Sequence, residues 1–93
     1  MIYSLQIERH VLSGLIKHQN LFPDIDIFLS EDDFYQEVHS TIYSVYKNIK
    51  HKGEKVDKVL LAEKIKNLGI SFKDVINIYD YIDNLSFSQI TEE

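Results

Sequence analysis

The sequence contains no cysteine and no tryptophan, and it has one proline and three glycines. Without cysteine, the chain has no disulfide scaffold, no thiolate ligand for a metal and no cysteine nucleophile. No apolar run approaches the roughly 20 residues that a membrane-spanning helix needs. Charged residues already occur at Glu8 and Arg9, so the N-terminus lacks the long apolar core of a signal peptide. These absences lead us to expect a soluble cytoplasmic protein without a membrane partner.

Motifs of the common catalytic sites are also missing. A P-loop needs a glycine-rich turn followed by Lys and Ser or Thr, and none of Gly14, Gly53 and Gly69 begins one. No serine lies in a nucleophile elbow. The acids at positions 31–33 are explained better by the start of a helix than by a cation site. We predict no catalytic, cofactor or metal site in this domain, and hence no enzyme activity.

The formal net charge is −5, which is the wrong sign for a domain that grips nucleic-acid phosphates with Lys and Arg. Direct DNA binding is therefore not expected. Residues 24–37 include six acids and no Lys or Arg, whereas most of the lysines lie between positions 47 and 66. The preference of helix ends for these signs is one explanation. The other is a domain with an acidic edge and a basic edge, suited to head-to-tail packing or to an oppositely charged partner.

The most informative stretch runs from residue 30 to residue 53. Ser30 is suited to cap a helix, the acids that follow it suit the positive end of the helix dipole, and Gly53 is suited to end the helix. This stretch predicts a helix of about five turns, or a short turn followed by a longer helix. Its apolar residues recur at spacings of three and four, along one side of a helix; they are Phe34, Val38, Ile42, Val45, Tyr46 and Ile49.

The residues before this stretch predict two helices. Ser4 can cap the first, from Leu5 to about His18. Gly14 inside it costs about 1 kcal/mol relative to Ala, so we expect a neighbouring helix to approach closely there. Pro23 can open a short second helix. The predicted apolar sides of the two helices are Ile7, Val11, Leu12, Leu15 and Ile16 in the first, and Phe22, Ile25, Phe28 and Leu29 in the second.

The residues after the stretch predict two more helices, one capped by Asp57 and ending near Leu68, and one opened by Ser71. The predicted buried side of the last helix is Phe72, Val75, Ile76, Tyr79, Ile82 and Leu85. Residues 86–93 have no clear periodicity and are expected to fray. Since no segment alternates with period two, strands are not expected. The chain is predicted to be a single all-α domain over residues 1–93, a compact bundle of five or six short helices.

Three residues are candidates for contact with a partner chain. Tyr43 and Tyr81 fall beside the predicted buried stripes, and tyrosine is enriched at interfaces because it buries area while keeping a polar tip. Ile27 is an extra apolar residue close to the acids. His39 lies beside the apolar side of the central helix, where we expect a structural histidine that donates to a backbone carbonyl or a carboxylate.

One ordered set of residues extends through most of the chain: Glu8, Val11 and Leu12; Asp33, Phe34, Tyr35, His39, Ile42 and Tyr43; then Gly53, Val56, Asp57, Leu60 and Leu61. Their combined order and spacing resemble the N-terminal domain of DnaB-type replicative DNA helicases. The resemblance covers roughly residues 6–68 and, more loosely, the final helix to Leu85. It implies an all-helical head followed by a long helical hairpin, and the chain is expected to end about where that hairpin would begin.

The resemblance also implies a function. It indicates a non-catalytic protein-interaction domain that supports hexamer assembly and engages primase or a helicase loader, while the ATPase engine lies elsewhere in the parent helicase. Because much of the primase contact in the family uses the hairpin, self-association and head-to-head packing rank first for this chain. Two alternatives stay open: a free-standing mimic of the helicase head that regulates replication, and a small helical nucleic-acid-binding domain that uses the lysines between positions 47 and 66.

Overall fold

The structure, a computed structural model, describes residues 4–85, and these contain five α-helices and no β-strand. The helices are α1 (Leu5–Lys17), α2 (Phe22–Asp26), α3 (Glu37–His51), α4 (Lys58–Lys66) and α5 (Ile78–Asp83). Two 3₁₀ turns, Gln19–Leu21 and Glu31–Asp33, precede α2 and α3. The prediction of an all-α fold with five or six short helices is confirmed. The fraying predicted for residues 86–93 lies outside the described residues.

Local hydrogen bonds explain where several elements begin. The Ser4 side chain accepts from the backbone N–H of Ile7 at 3.3 Å. Helix α1 starts at Leu5, directly after this cap, as predicted. The backbone N–H of Ser30 donates to the Asp33 carboxylate at 2.8 Å and closes the second 3₁₀ turn. The chain is then extended at Phe34, and α3 begins three residues later. The second of the two predicted alternatives, a short turn followed by a longer helix, is therefore the observed one.

Helix α3 lies at the centre of the core and contacts both α1 and α4. The Tyr46 hydroxyl donates to the backbone carbonyl of Leu15 at 2.6 Å, which fixes α1 against α3. Phe22 of α2 meets the Tyr46 ring edge-on, with 5.5 Å between the ring centroids. The α3 side chains in the core are Val38, His39, Ile42, Tyr43, Tyr46 and Ile49.

Helix α1 is rotated relative to its predicted apolar side. Ile7 was expected to face inward but is 55% exposed, whereas Glu8 is fully buried. The rotation is possible because the Glu8 carboxylate finds hydrogen-bond donors inside the protein. A neighbouring helix was also expected to approach Gly14 closely, but among the described residues a Cβ built there would meet no atom within 4 Å.

The last helix is much shorter than predicted. It begins at Ile78 instead of near Ser71, because Asn77 provides the cap and its side chain accepts from the backbone N–H of Tyr79 at 2.9 Å. Upstream, Asp74 has a φ of 65°, a left-handed conformation that no right-handed helix contains. Ile76, predicted to be buried, is fully exposed in the connecting loop.

Candidate interaction surface and the network behind it

Glu8 of α1 and His39 of α3 form a polar contact in the interior, and neither side chain is accessible to solvent. The Glu8 Oε1 atom lies 2.6 Å from Nδ1 of His39. The same carboxylate accepts from the backbone N–H groups of Tyr35, at 2.5 Å, and Gln36, at 3.3 Å. Two backbone N–H groups already make this carboxyl group an acceptor, so we assign the proton of the contact with His39 to Nδ1, pointing toward Glu8. Both oxygens of the buried acid are thus satisfied.

The network continues from His39 to α5. Its Nε2 atom lies 2.6 Å from the Tyr81 hydroxyl, and burial lowers the pKa of His39 although the hydrogen bond to Glu8 opposes this. A neutral imidazole therefore donates through Nδ1 and accepts the Tyr81 proton at Nε2. The Arg9 guanidinium lies 4.8 Å from the centroid of the Tyr81 ring and donates to the Asn84 carbonyl at 2.7 Å. These bonds join α1, α3 and α5.

The residue types in this network, Glu, His and Tyr, are those of proton-transfer sites, but the geometry indicates a structural role. A general acid or base must come within hydrogen-bond reach of a substrate atom, and Glu8 and His39 have no accessible surface. The contact of His39 with a carboxylate agrees with the structural histidine expected from the sequence. Among the described residues, no group of three or more His, Cys, Asp or Glu side chains could hold a metal ion.

A separate apolar groove lies between α1 and the segment formed by the first 3₁₀ turn and α2. Its volume is about 400 Å³. Ile7, Val11 and Gly14 share one face of α1 because they are spaced by four and three residues, so the exposed Ile7 extends the apolar surface toward the N-terminus of the helix. The residues that line the groove are His10, Val11, Gly14, Leu15, His18, Leu21, Ile25, Phe28 and Leu29.

Two neighbouring apolar side chains project at the end of α2. Ile27 is 81% exposed and Phe28, which lines the groove, is 73% exposed. Phe28 was predicted to face inward. The segment is anchored from behind, because the Tyr43 hydroxyl donates to the backbone carbonyl of Leu29 at 3.0 Å. Adjacent large apolar side chains at the mouth of an open groove are typical of a surface that binds another macromolecule.

The three predicted contact residues lie in different surroundings. Ile27 is exposed beside the groove, as a contact residue must be. Tyr81 is half-buried and bonded to His39. Tyr43 was expected beside the buried stripe, but it lies within the core and is fully buried, and burial raises its pKa to about 12. Partner contact by these residues stays a prediction, and of the three only Ile27 has a well-exposed side chain. Sequence reasoning missed the groove itself, although a glycine inside α1 was its one visible signal.

The groove has few titratable side chains in its lining. They are His10 and His18, and both are exposed. Asp24 and Asp26 belong to α2 but do not line the groove. Asp26 contacts Nε2 of His51 at 2.8 Å, and Asp24 has no ion-pair partner within the part of the chain that the structure describes. The lining of the groove itself is therefore apolar apart from two histidines.

No helix among residues 4–85 is both long enough and apolar enough to cross a bilayer. The described residues combine an all-helical core, a polar network sealed inside it and an exposed apolar groove. These features are typical of a small helical interaction domain rather than of an enzyme active site.

Comparison with known proteins identifies the family to which this small helical domain belongs. The family model for the DnaB-like helicase N terminal domain matches residues 1–91, and the chain belongs to this family. One relative is the replicative DNA helicase DnaB of Buchnera aphidicola subsp. Baizongia pistaciae (strain Bp), which is 30% identical over 66 residues. The match includes 71% of this chain, but the chain spans only 14% of the length of that relative. No solved structure matches the chain.

Proposed function

We propose that this chain is a non-catalytic protein-interaction domain of a cytoplasmic replicative DNA helicase. In this role it contributes to the assembly of the helicase hexamer and contacts primase or a helicase loader. ATP hydrolysis and DNA translocation are carried out by other parts of the helicase. The observation that carries the proposal is the match of the family model to residues 1–91. The similarity to the replicative DNA helicase of Buchnera aphidicola also supports the proposal.

The surface of the domain supports an interaction role. The apolar groove and the exposed Ile27 and Phe28 offer the kind of contact area that a partner chain can cover, and burial of apolar area contributes about 25 cal/mol per Å². The net charge of −5 disfavours a main role in binding the DNA backbone. We therefore place self-association first among the contacts, followed by primase or loader, with direct DNA binding excluded from the proposal.

A competition experiment tests this function. The 93-residue chain is added in increasing excess to the replicative helicase from the same source during its assembly, and the hexamer fraction is measured by native mass spectrometry. If the chain occupies the contacts made by the helicase heads, the hexamer fraction falls as its concentration rises. The Glu8→Ala variant, whose core network is broken, serves as the control and is expected to compete poorly. An unchanged hexamer fraction at large excess would contradict a role in ring assembly.

A further inference from the structure

A second pocket lies between the end of α4 and the loop that leads to α5, and we call it the Lys66 pocket. It shares no lining residue with the apolar groove. Its volume is about 370 Å³, which falls in the range of sites that hold a ligand group. Most of its lining is apolar and consists of Ile65, Ile70, Phe72, Val75, Ile76 and Ile78.

The loop that forms this pocket holds apolar side chains in the solvent. The backbone N–H of Val75 donates to the carbonyl of Phe72 at 3.2 Å, and Asp74 between them has a φ of 65°, which is unfavourable for a residue other than glycine. Ile76 is fully exposed and Ile70 is 44% exposed. A small molecule inside the pocket would leave this apolar rim in water, whereas an extended peptide that crosses the rim would cover it.

Lys66 gives the pocket a positive charge. Among the described residues it is the one charged side chain in the lining. Its Nζ atom lies 5.8 Å from the centroid of the Tyr79 ring, and it forms no ion pair within residues 4–85. Asp74 and Asp80 line an adjoining pocket together with Arg9. A ligand with a negative charge therefore complements the Lys66 pocket, and a basic ligand does not.

Asn77 adds a neutral hydrogen-bond donor to the same pocket. Its side-chain oxygen accepts from the backbone N–H groups of Tyr79 at 2.9 Å and Asp80 at 3.3 Å, so the cap of α5 fixes the orientation of the amide. The NH₂ group of this amide donates to none of the residues that the structure describes. An ammonium and an amide N–H together are suitable donors for a carboxylate.

We propose that the Lys66 pocket binds an extended segment of another protein in which an acidic side chain is adjacent to a large apolar one. The apolar side chain fills the pocket, the carboxylate lies against Lys66 and Asn77, and the backbone of the segment crosses the rim of Ile70 and Ile76. This inference goes beyond the proposed function, since it neither uses the apolar groove nor depends on the assembly of a ring.

The test uses a set of fluorescein-labelled octapeptides in which Asp or Glu is adjacent to Phe, Leu, Ile or Tyr, with Gly and Ser elsewhere. Their binding to the 93-residue chain is measured by fluorescence anisotropy, and the contact is located by NMR shifts of the backbone amides. We expect at least one peptide to bind with a Kd below about 1 mM, with shifts concentrated in residues 65–79. If no peptide binds in this range, or if peptides with Asn or Gln in place of the acid bind equally well, the proposal is overturned.

Two pairs of variants locate the binding site. Lys66→Gln is expected to weaken binding about three- to fivefold, whereas Lys64→Gln, in the same last turn of α4 but outside the lining, is expected to leave it unchanged. Ile76→Ser is expected to weaken binding about tenfold. Its control is Ile27→Ser, which removes an isoleucine that is 81% exposed beside the apolar groove. Equal effects within either pair would overturn the proposal, and circular dichroism verifies that all four variants are folded.

Decanoate tests the alternative of a small amphipathic acid. If decanoate causes the same NMR shifts and binds as tightly as the best peptide, the peptide is the wrong occupant. The ring-competition experiment is independent of these measurements. Peptide binding without competition would support this site and contradict the proposed function, whereas competition without peptide binding would support the function and refute the site.

Discussion

Glu8 is expected to be the most sensitive polar residue of the domain. Replacing it with glutamine keeps the shape of the side chain but turns one acceptor oxygen into an NH₂ group. Three N–H groups, those of Tyr35, Gln36 and His39, converge on the carboxylate. An amide has one acceptor oxygen for them, so at least one buried donor loses its partner. Both side chains of the Glu8–His39 pair are inaccessible to water, and solvent cannot replace the lost bond.

The magnitude follows from these contacts. An unsatisfied buried group costs about 1–3 kcal/mol, and several hydrogen bonds to the Glu8 carboxyl are disturbed at once. We expect Glu8→Gln to lower the free energy of unfolding by about 3 kcal/mol, a large part of the 5–15 kcal/mol typical of a domain. Urea titration followed by helical circular dichroism measures this change through the midpoint and slope. The matched control is Glu63→Gln, at an exposed position of α4, with an expected change within about 0.5 kcal/mol. Equal stabilities for the two variants would refute the reasoning.

Three further predictions concern the stability of the fold. Because the pKa of His39 is lowered on folding, the unfolded chain takes up this proton first. The stabilising contribution of neutral His39 is thus present above about pH 6.5 and lost as the pH falls toward the lowered value; urea midpoints that stay constant from about pH 7.5 to about 5.5 would contradict this. Tyr46→Phe leaves the Leu15 carbonyl without its buried donor, so it is expected to lower the free energy of unfolding by about 1–2 kcal/mol. An unchanged urea midpoint would count against this prediction. Gly53 has a φ of 80°, so Gly53→Ala is expected to lower stability by about 1–2 kcal/mol, whereas a neutral effect in the same titration would show that the turn relaxes.

Periodicity and capping residues were sufficient to predict most of the architecture. Ser4, Asp57 and the spacing of the apolar residues in α3 are local signals, and local hydrogen bonds decide where a helix starts. The start of the last helix was mispredicted because the sequence offers two residues that could cap it. Ser71 was the first suitable residue along the chain, but Asn77 is the residue whose side chain binds the backbone N–H groups of the helix.

The candidate surface was harder to predict, since it depends on contacts distant in sequence. Polarity alone places Glu8 outside and Ile7 inside, and the opposite holds because the donors from α3 and the residues just before it converge on Glu8. That exchange turns Ile7 toward the groove side of α1. The same limit applies to Tyr43, whose position next to the stripe did not reveal that its hydroxyl reaches Leu29.

Sedimentation equilibrium of the 93-residue chain over a concentration series, at low and moderate salt, tests the central claim most directly. If the domain is a self-associating helicase head, the weight-average mass rises above the monomer value of 11.0 kDa between about 10 μM and about 1 mM. A mass that stays at 11.0 kDa over the whole series, at both salt concentrations, would contradict self-association through this domain.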